Sequence, residues 1–399
     1  NNQNTEYGTI SLYGTMIIVF LIGFICWRTH HLVHSPNHIR WLLLWLAWLA
    51  LAAIWSIMPE VSWYYFLLTV AAVTYYLIVR SVSPLVVVSS LVAAGCVQSL
   101  MALWQWTTAY VYPNSWLGMA EHNPLVLGQS VIVTSAGRIL RAYGSLPHPN
   151  MLAGFLVVCL MSLTVWYWLD RRREKPLPTI MFIAAKALMF MGLFVTFSRA
   201  GLIALVIWQV VSLVASIWSR RWKLAQILRS SILLLLVMLV TANYLTQGLF
   251  LQRADMSERL ETISNTQRLV SLDEATRLLG LPQLLIGVGP GAYIWAAASF
   301  FPGRSSYEYQ PAHMTYLLAL VEMGLVGLWL LLVVAVNCVT WPKRKTEEWA
   351  MVAGWIATLA IFGLFDHWLW SSYLGLAVVW ISMGLITTLV TQKRASATS

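Results

Sequence analysis

Apolar runs of about 20 residues recur along this chain from one end to the other. A helix of that length crosses the ~30 Å hydrocarbon core of a bilayer, where each segment has to satisfy its own backbone hydrogen bonds. Charged residues make up only 10% of the sequence, against ~25% in soluble domains, which excludes a soluble fold. The 22 tryptophans fit the aromatic belts found at membrane–water interfaces. The fold class is therefore an all-α polytopic membrane protein. Cys26, Cys96, Cys159 and Cys338 all fall in apolar runs without metal-ligand spacing, so they read as packing residues.

The runs divide into about eleven spans, at roughly 10–27, 40–58, 61–79, 83–107, 149–169, 177–197, 201–218, 227–246, 313–336, 348–368 and 371–391. The chain starts with Asn, and no charged signal-peptide segment precedes the first run. One more N-terminal helix is therefore expected, giving about 11–12 transmembrane helices; the alternative is that 10–27 is the true first span. Arg28 with Arg40, Arg80, Arg171 to Arg173 with Lys175, Arg220-Arg221 with Lys223, Lys343-Arg344-Lys345 and Lys393-Arg394 all fall on one side. The positive-inside rule makes that side cytoplasmic. The opposite side carries two long loops, 108–148 and 247–312, and the second holds five arginines and six acids, so it has no basic excess. In a bacterium that side is the periplasm, and the chain is expected in the inner membrane. The expected organisation is 1–107 as N-terminal transmembrane helices, 108–148 as the first periplasmic loop and 149–246 as central transmembrane helices. The large loop 247–312 follows, and 313–399 holds the C-terminal transmembrane helices and cytoplasmic tail.

Several polar residues stand out against this apolar background. His313 ends the large loop at the mouth of a span, where the helix dipole and nearby arginines would keep the imidazole neutral, as a general base requires. Its structural alternative is an interfacial histidine satisfied by a carbonyl. The larger loop is partly helical, near 256–280, with Arg268, Leu272, Ala275 and Leu279 on one face. Arg268 has Ser264 and Asn265 at i−4 and i−3 and so lacks a local counter-charge, whereas Arg277 has Asp273 and Glu274, and Arg259 has Asp255. Arg199, in Phe197-Ser-Arg-Ala-Gly201, sits in a tight hairpin between two spans; it either binds a phosphate-bearing ligand or snorkels to lipid phosphates.

Arg138, Arg141 and His148 close the first loop and are candidate substrate-binding residues, with lipid headgroups as the competing partners of the arginines. Asp366-His367 reads as a secondary acid/base or acceptor-binding pair, which makes both candidate substrate-binding residues, or as a helix-end cap. The turn Gly287-Val-Gly-Pro-Gly291 lacks a βαβ setting, so it is expected to fold the loop back on the membrane, with an anion cradle as the lesser reading. There is no Walker sequence, zinc-ligand spacing or Asp-x-Asp pair, so no metal and no cofactor are expected.

Taken together, Arg141-Ala-Tyr-Gly-Ser-Leu-Pro-His-Pro-Asn150, Phe197-Ser-Arg-Ala-Gly201, Asn265-Thr-Gln-Arg268, Gly287-Val-Gly-Pro-Gly291 and His313…Glu322-Met-Gly-Leu-Val-Gly327 resemble the bacterial O-antigen ligase family. The similarity spans roughly residues 120–385. The resemblance implies transfer of O-antigen glycan from undecaprenyl diphosphate to a sugar hydroxyl of lipid A–core at the periplasmic face, completing lipopolysaccharide. It implies His313, Arg268 and Arg199 as the catalytic residues. The expected partners are that donor, that acceptor and membrane lipids, with no nucleic acid. O-antigen polymerases and protein O-oligosaccharyltransferases are the nearest alternatives. A glycolipid transporter is the alternative from another class, and it would show charged span interiors and broken helices. Here Lys186 and Glu322 are the exceptions in span interiors nearly free of charge.

Overall fold

The computed structural model describes residues 10–29, 36–134, 137–171, 173–246, 259–305, 308–338 and 346–395. The expected upstream helix, the basic cluster Lys343 to Lys345, Arg172 and the Asp255 side of the Arg259 pair lie outside the described residues, as do the side chains of Ser264, Asn265 and Lys393-Arg394. In chain order the first elements are α1 (Gly14–Arg28), α2 (Pro36–Ile54), α3 (Pro59–Ser81), α4 (Pro84–Thr108), β1 (Val131–Thr134) and β2 (Gly137–Leu140). Next come α5 (Pro149–Asp170), α6 (Thr179–Phe194), α7 (Arg199–Trp218), α8 (Trp222–Leu245) and α9 (Arg259–Arg277). The chain ends with α10 (Leu281–Ile286), α11 (Tyr293–Phe300), α12 (Thr315–Cys338), α13 (Glu347–Phe365), α14 (Trp368–Ser371) and α15 (Tyr373–Ala395).

The protein is an all-α polytopic membrane protein, 74% helical. Each predicted span carries a helix. Among the described residues eight helices are long and apolar enough to cross a membrane, and Gly14–Arg28, Ile39–Ile54 and Thr179–Phe194 are shorter apolar helices. Proline at the start of α3 and α5 presets the helical φ where no N–H partner exists. Large apolar side chains such as Leu233, Leu236 and Val240 on α8 and Trp329, Leu332 and Val336 on α12 stay exposed, as a surface that faces lipid requires. All four cysteines are free.

The chain forms two compact units. One comprises Asn1–Pro84, Thr262–Trp341 and Gly363–Ser399; the other comprises Leu85–Glu261 and Pro342–Phe362. In the first unit α15 packs along α3 and α12 along α2. Its core is aromatic: Trp45, fully buried, meets Trp380 at 5.6 Å and Trp370 at 6.4 Å between ring centroids, and Tyr76 meets Trp380 at 5.9 Å. In the second unit α5 packs on α6 and α7, and α8 on α6 and α7. The loop 108–148 contains structure that the sequence reading missed. β1 and β2 pair antiparallel with Ile132 opposite Ile139, and Val131, Leu140, Val111 and Tyr143 form a small core beneath them. The β-branched run Val131-Ile-Val-Thr134 was the available signal.

Candidate active site

α9 falls where the sequence placed an amphipathic helix, but its buried side is Ser271, Glu274 and Ala275, with Leu278 just past its end; of the expected face only Ala275 is buried, and Arg268, Leu272 and Leu279 are half-buried. Arg268 lies at the edge of that face. Its Nε is buried and has no hydrogen-bond partner. Arg277 points the other way and pairs with Asp273 at 2.8 Å, with more than half of each side chain exposed. Glu274 departs from the expectation. It turns inward and pairs with Arg304, whose guanidinium lies 5.4 Å from the Phe301 ring centre, so only Asp273 serves Arg277. The i−3 position placed Glu274 on the buried face, and burial then required a partner from another segment.

His313 stands two residues ahead of α12, not within its first turn. Leu318 N–H donates to the Met314 carbonyl at 3.0 Å, so Met314 caps the helix. The His313 N–H reaches Ser271 Oγ at 3.5 Å, and Ser271 donates to the Arg268 carbonyl at 2.8 Å, which ties the turn bearing Arg268 to the histidine backbone. The imidazole is half-buried, and Nδ1 is buried without a partner. The carbonyl-satisfied alternative therefore fails for this nitrogen. His367 lies beside it, with ring centroids 5.1 Å apart and planes at 54°.

The pair Asp366-His367 belongs to the same cluster. Both are buried, His367 Nδ1 meets Ser371 Oγ at 2.7 Å, and an Asp366 oxygen accepts the His367 N–H at 2.7 Å. His367 precedes α14 but makes no side-chain cap bond. Thr315 Oγ1 donates to the Asp366 carbonyl at 2.8 Å and holds this segment against the start of α12. Burial, then the neighbouring His367, lowers the His313 pKa to about 4; Asp366 pushes it up and Arg268 pushes it down. Burial lowers the His367 pKa as well, against the pull of Asp366. Both rings are thus neutral at pH 7. The donor atoms of His313, Asp366 and His367 lie within 4.8 Å of one another, close enough to share a proton or hold a metal ion. Sequence spacing had not suggested such a cluster, because tertiary folding assembles it from distant segments.

Glu322, noted in the sequence as a charge inside a span and as part of the resemblance, organises the loop. α12 is interrupted at Gly324 (φ 68°, ψ 179°). The buried Glu322 carboxylate accepts from Gly291 N at 2.8 Å, Tyr293 N at 3.4 Å and Trp370 Nε1 at 2.7 Å. Its backbone carbonyl accepts from Gly289 N at 3.0 Å. Tyr65 OH donates to the Trp370 carbonyl on the other side. The glycine-rich turn thus folds back on α12, and the group its N–H groups cradle is the protein's own Glu322 carboxyl. A Cβ on Gly324 would sit 2.2 Å from the Leu285 carbonyl oxygen, and one on Gly287 (φ 78°) 2.2 Å from that of Glu322. Gly324→Ala should therefore lower thermal stability by at least the ~1–3 kcal/mol of a strained backbone. Gly14→Ala, where nothing lies within 4 Å, should leave the melting temperature unchanged; equal melting temperatures for the two variants would remove this role of Gly324.

The remaining predicted residues belong to the second unit. Arg199 opens α7 behind the N-cap Ser198, whose hydroxyl accepts from Gly201 N at 3.3 Å. Arg141 is buried, with Nε donating to the Thr196 carbonyl at 2.7 Å and Nη2 to Asn150 Oδ1 at 2.8 Å. His148 caps α5 through Nδ1, which accepts from Asn150 N at 3.1 Å, while Nε2 meets Ser130 Oγ at 3.0 Å. These bonds give Arg141 and His148 local structural work. Arg138, on β2, donates to the Val126 carbonyl at 3.2 Å.

His313, Asp366 and His367, with the partnerless Nε of Arg268 within electrostatic reach, form an arrangement that can pass a proton beside an anion. Residues 184–332 match the family model described as O-antigen ligase, a stretch that includes Arg199, Arg268, the glycine turn, His313 and Glu322. The match makes that stretch, less than half of the chain, similar to the O-antigen ligase family. No curated protein matches the chain.

Proposed function

We propose that this protein is an O-antigen ligase, a glycosyltransferase that moves glycan from undecaprenyl diphosphate to a sugar hydroxyl of lipid A–core at the periplasmic face of the inner membrane. The observation that carries the reading is the buried, partnerless Nδ1 of His313 in the family-matched segment, held against His367 and Asp366 and within electrostatic reach of Arg268. His313 takes the acceptor proton as the hydroxyl oxygen bonds to the anomeric carbon. The bond from that carbon to the diphosphate oxygen breaks, and the diphosphate leaves with the bonding electrons. Attack opposite the leaving group inverts the centre. Arg268 meets the charge that develops on the diphosphate. The same role for Arg199, and donor or acceptor binding by Arg138, Arg141 and His148, rest on the resemblance.

The break in α12 and the acid inside it are features of a transporter. Glu322, however, is filled by three donors of its own chain, so it supports a structural bracket rather than an open ion site. A polymerase shares the donor chemistry and differs in the acceptor. Purified protein given lipid-linked glycan together with lipid A–core should glycosylate lipid A–core; extension of the lipid-linked glycan instead would make it a polymerase, and bound donor without turnover would remove the enzyme reading. Transfer should also survive EDTA, because a guanidinium close enough to act on His313 opposes a dication at the same cluster. Activity lost to EDTA and restored by magnesium or manganese would assign His313, Asp366 and His367 to a metal ion instead.

A further inference from the structure

Lys186 lies midway along α6 and is 9% exposed. A cation at that depth is costly unless something neutralises it. Its ammonium donates to Ser231 Oγ, which also accepts from Gln209 Nε2 at 2.8 Å, so these neighbours are neutral. Among the described residues Lys186 forms no ion pair. The side chain lines a cavity of about 730 Å³ between α5, α6 and α8, within the ~300–1,000 Å³ range of small-molecule sites. Lys186 stands about 10 Å along the helix from Thr179, at 1.5 Å per residue. Arg171 and Lys223 line the same cavity close to the ends of α5 and α8. Arg171 shares the buried Asp170 with Arg173, at 3.6 Å and 3.3 Å, whereas Lys223 has no ion pair among the described residues. Thr164, Gln226 and Ser230 add neutral hydrogen-bonding groups, and Leu163, Phe182, Ile227 and Leu234 make the walls apolar.

Cations at both ends and apolar walls between them match a phosphate joined to an acyl chain better than a free ion. We infer that this cavity binds the headgroup of an anionic phospholipid, with Lys186 as the inner cation and Arg171 and Lys223 at the mouth. The bound phosphodiester supplies the counter-charge that the protein withholds from Lys186. None of these residues takes part in the transfer chemistry, so the inference stands or falls apart from it.

The test is native mass spectrometry of the detergent-purified full chain titrated with phosphatidylglycerol, phosphatidylcholine or inorganic phosphate, with melting temperature followed in parallel. Wild type should retain phosphatidylglycerol and gain stability from it, while phosphatidylcholine and inorganic phosphate do neither. Lys186→Met should bind phosphatidylglycerol about tenfold more weakly, as expected for loss of a charge-assisted hydrogen bond. It should also melt no lower than wild type without lipid, because a lone buried charge has been removed. The surface double variant Arg171→Gln/Lys223→Gln gives a second reading should Lys186→Met not fold, with the same weakening expected. Equal retention of phosphatidylcholine, phosphatidylglycerol binding unchanged in the variants, or equal stabilisation by inorganic phosphate would each overturn the lipid site.

Discussion

His313→Gln should abolish transfer, lowering the rate by ~10²–10⁴ as loss of a general base does, while donor binding persists through the arginines. Glutamine keeps a hydrogen-bonding group of similar reach but cannot accept a proton at neutral pH. Burial and His367 hold the wild-type ring at about 4, so the base is already deprotonated at pH 7. The rate should rise with pH through one ionisation near that value and stay flat from about pH 6 upward. Stability follows the same group. Between about 4 and the unfolded value of ~6.5 the unfolded chain binds more protons than the folded one, so stability rises with pH across that window and is lost as pH falls through it. His313→Gln should flatten that part of the melting-temperature profile. Near-wild-type transfer by His313→Gln would reduce the residue to orienting the acceptor, with Asp366 and His367 next in line as the base. An acid limb near pH 6.5 would refute the buried environment.

Arg268→Ala should lower transfer by ~10²–10³, the cost of losing a charge-assisted contact in a water-poor site. Arg277→Ala should stay within about twofold of wild type, because an exposed i,i+4 pair contributes only ~0.3–0.5 kcal/mol. The two arginines lie on one helix and differ in what they face: Arg268 has a buried Nε without a partner, and Arg277 has Asp273 and solvent. Comparing folded variants at saturating acceptor isolates the chemistry. Equal activities would end the assignment of Arg268 to the leaving group.

The helices were legible because a span has to be continuously apolar for about 20 residues, and nothing else in a sequence looks like that. The orientation of α9 was legible too, since helical spacing alone separates Arg268 from Arg277. Relations that only tertiary folding creates were not. Glu274 has Arg277 three residues away and still pairs with Arg304. His367 reads as a helix-end residue, and its place beside His313 depends on how α12 and the segment before α14 meet. Arg141 looked available because no acid lies near it in sequence, yet its partners are a backbone carbonyl and Asn150. Carbonyl acceptors leave no trace in a sequence. The β1–β2 hairpin was missed for a different reason: four-residue strands are too short to show a period.

The bracket around Glu322 and the cluster at His313 draw on one short stretch of chain. Glu322 precedes Trp370 by 48 residues, and the segment that supplies Trp370 also carries Asp366 and His367. A carboxyl inside a span is unfavourable until its donors are in place. A chain cut short before this segment should leave Glu322 with the backbone donors of Gly291 and Tyr293 alone and His313 without either neighbour, so one truncation tests both.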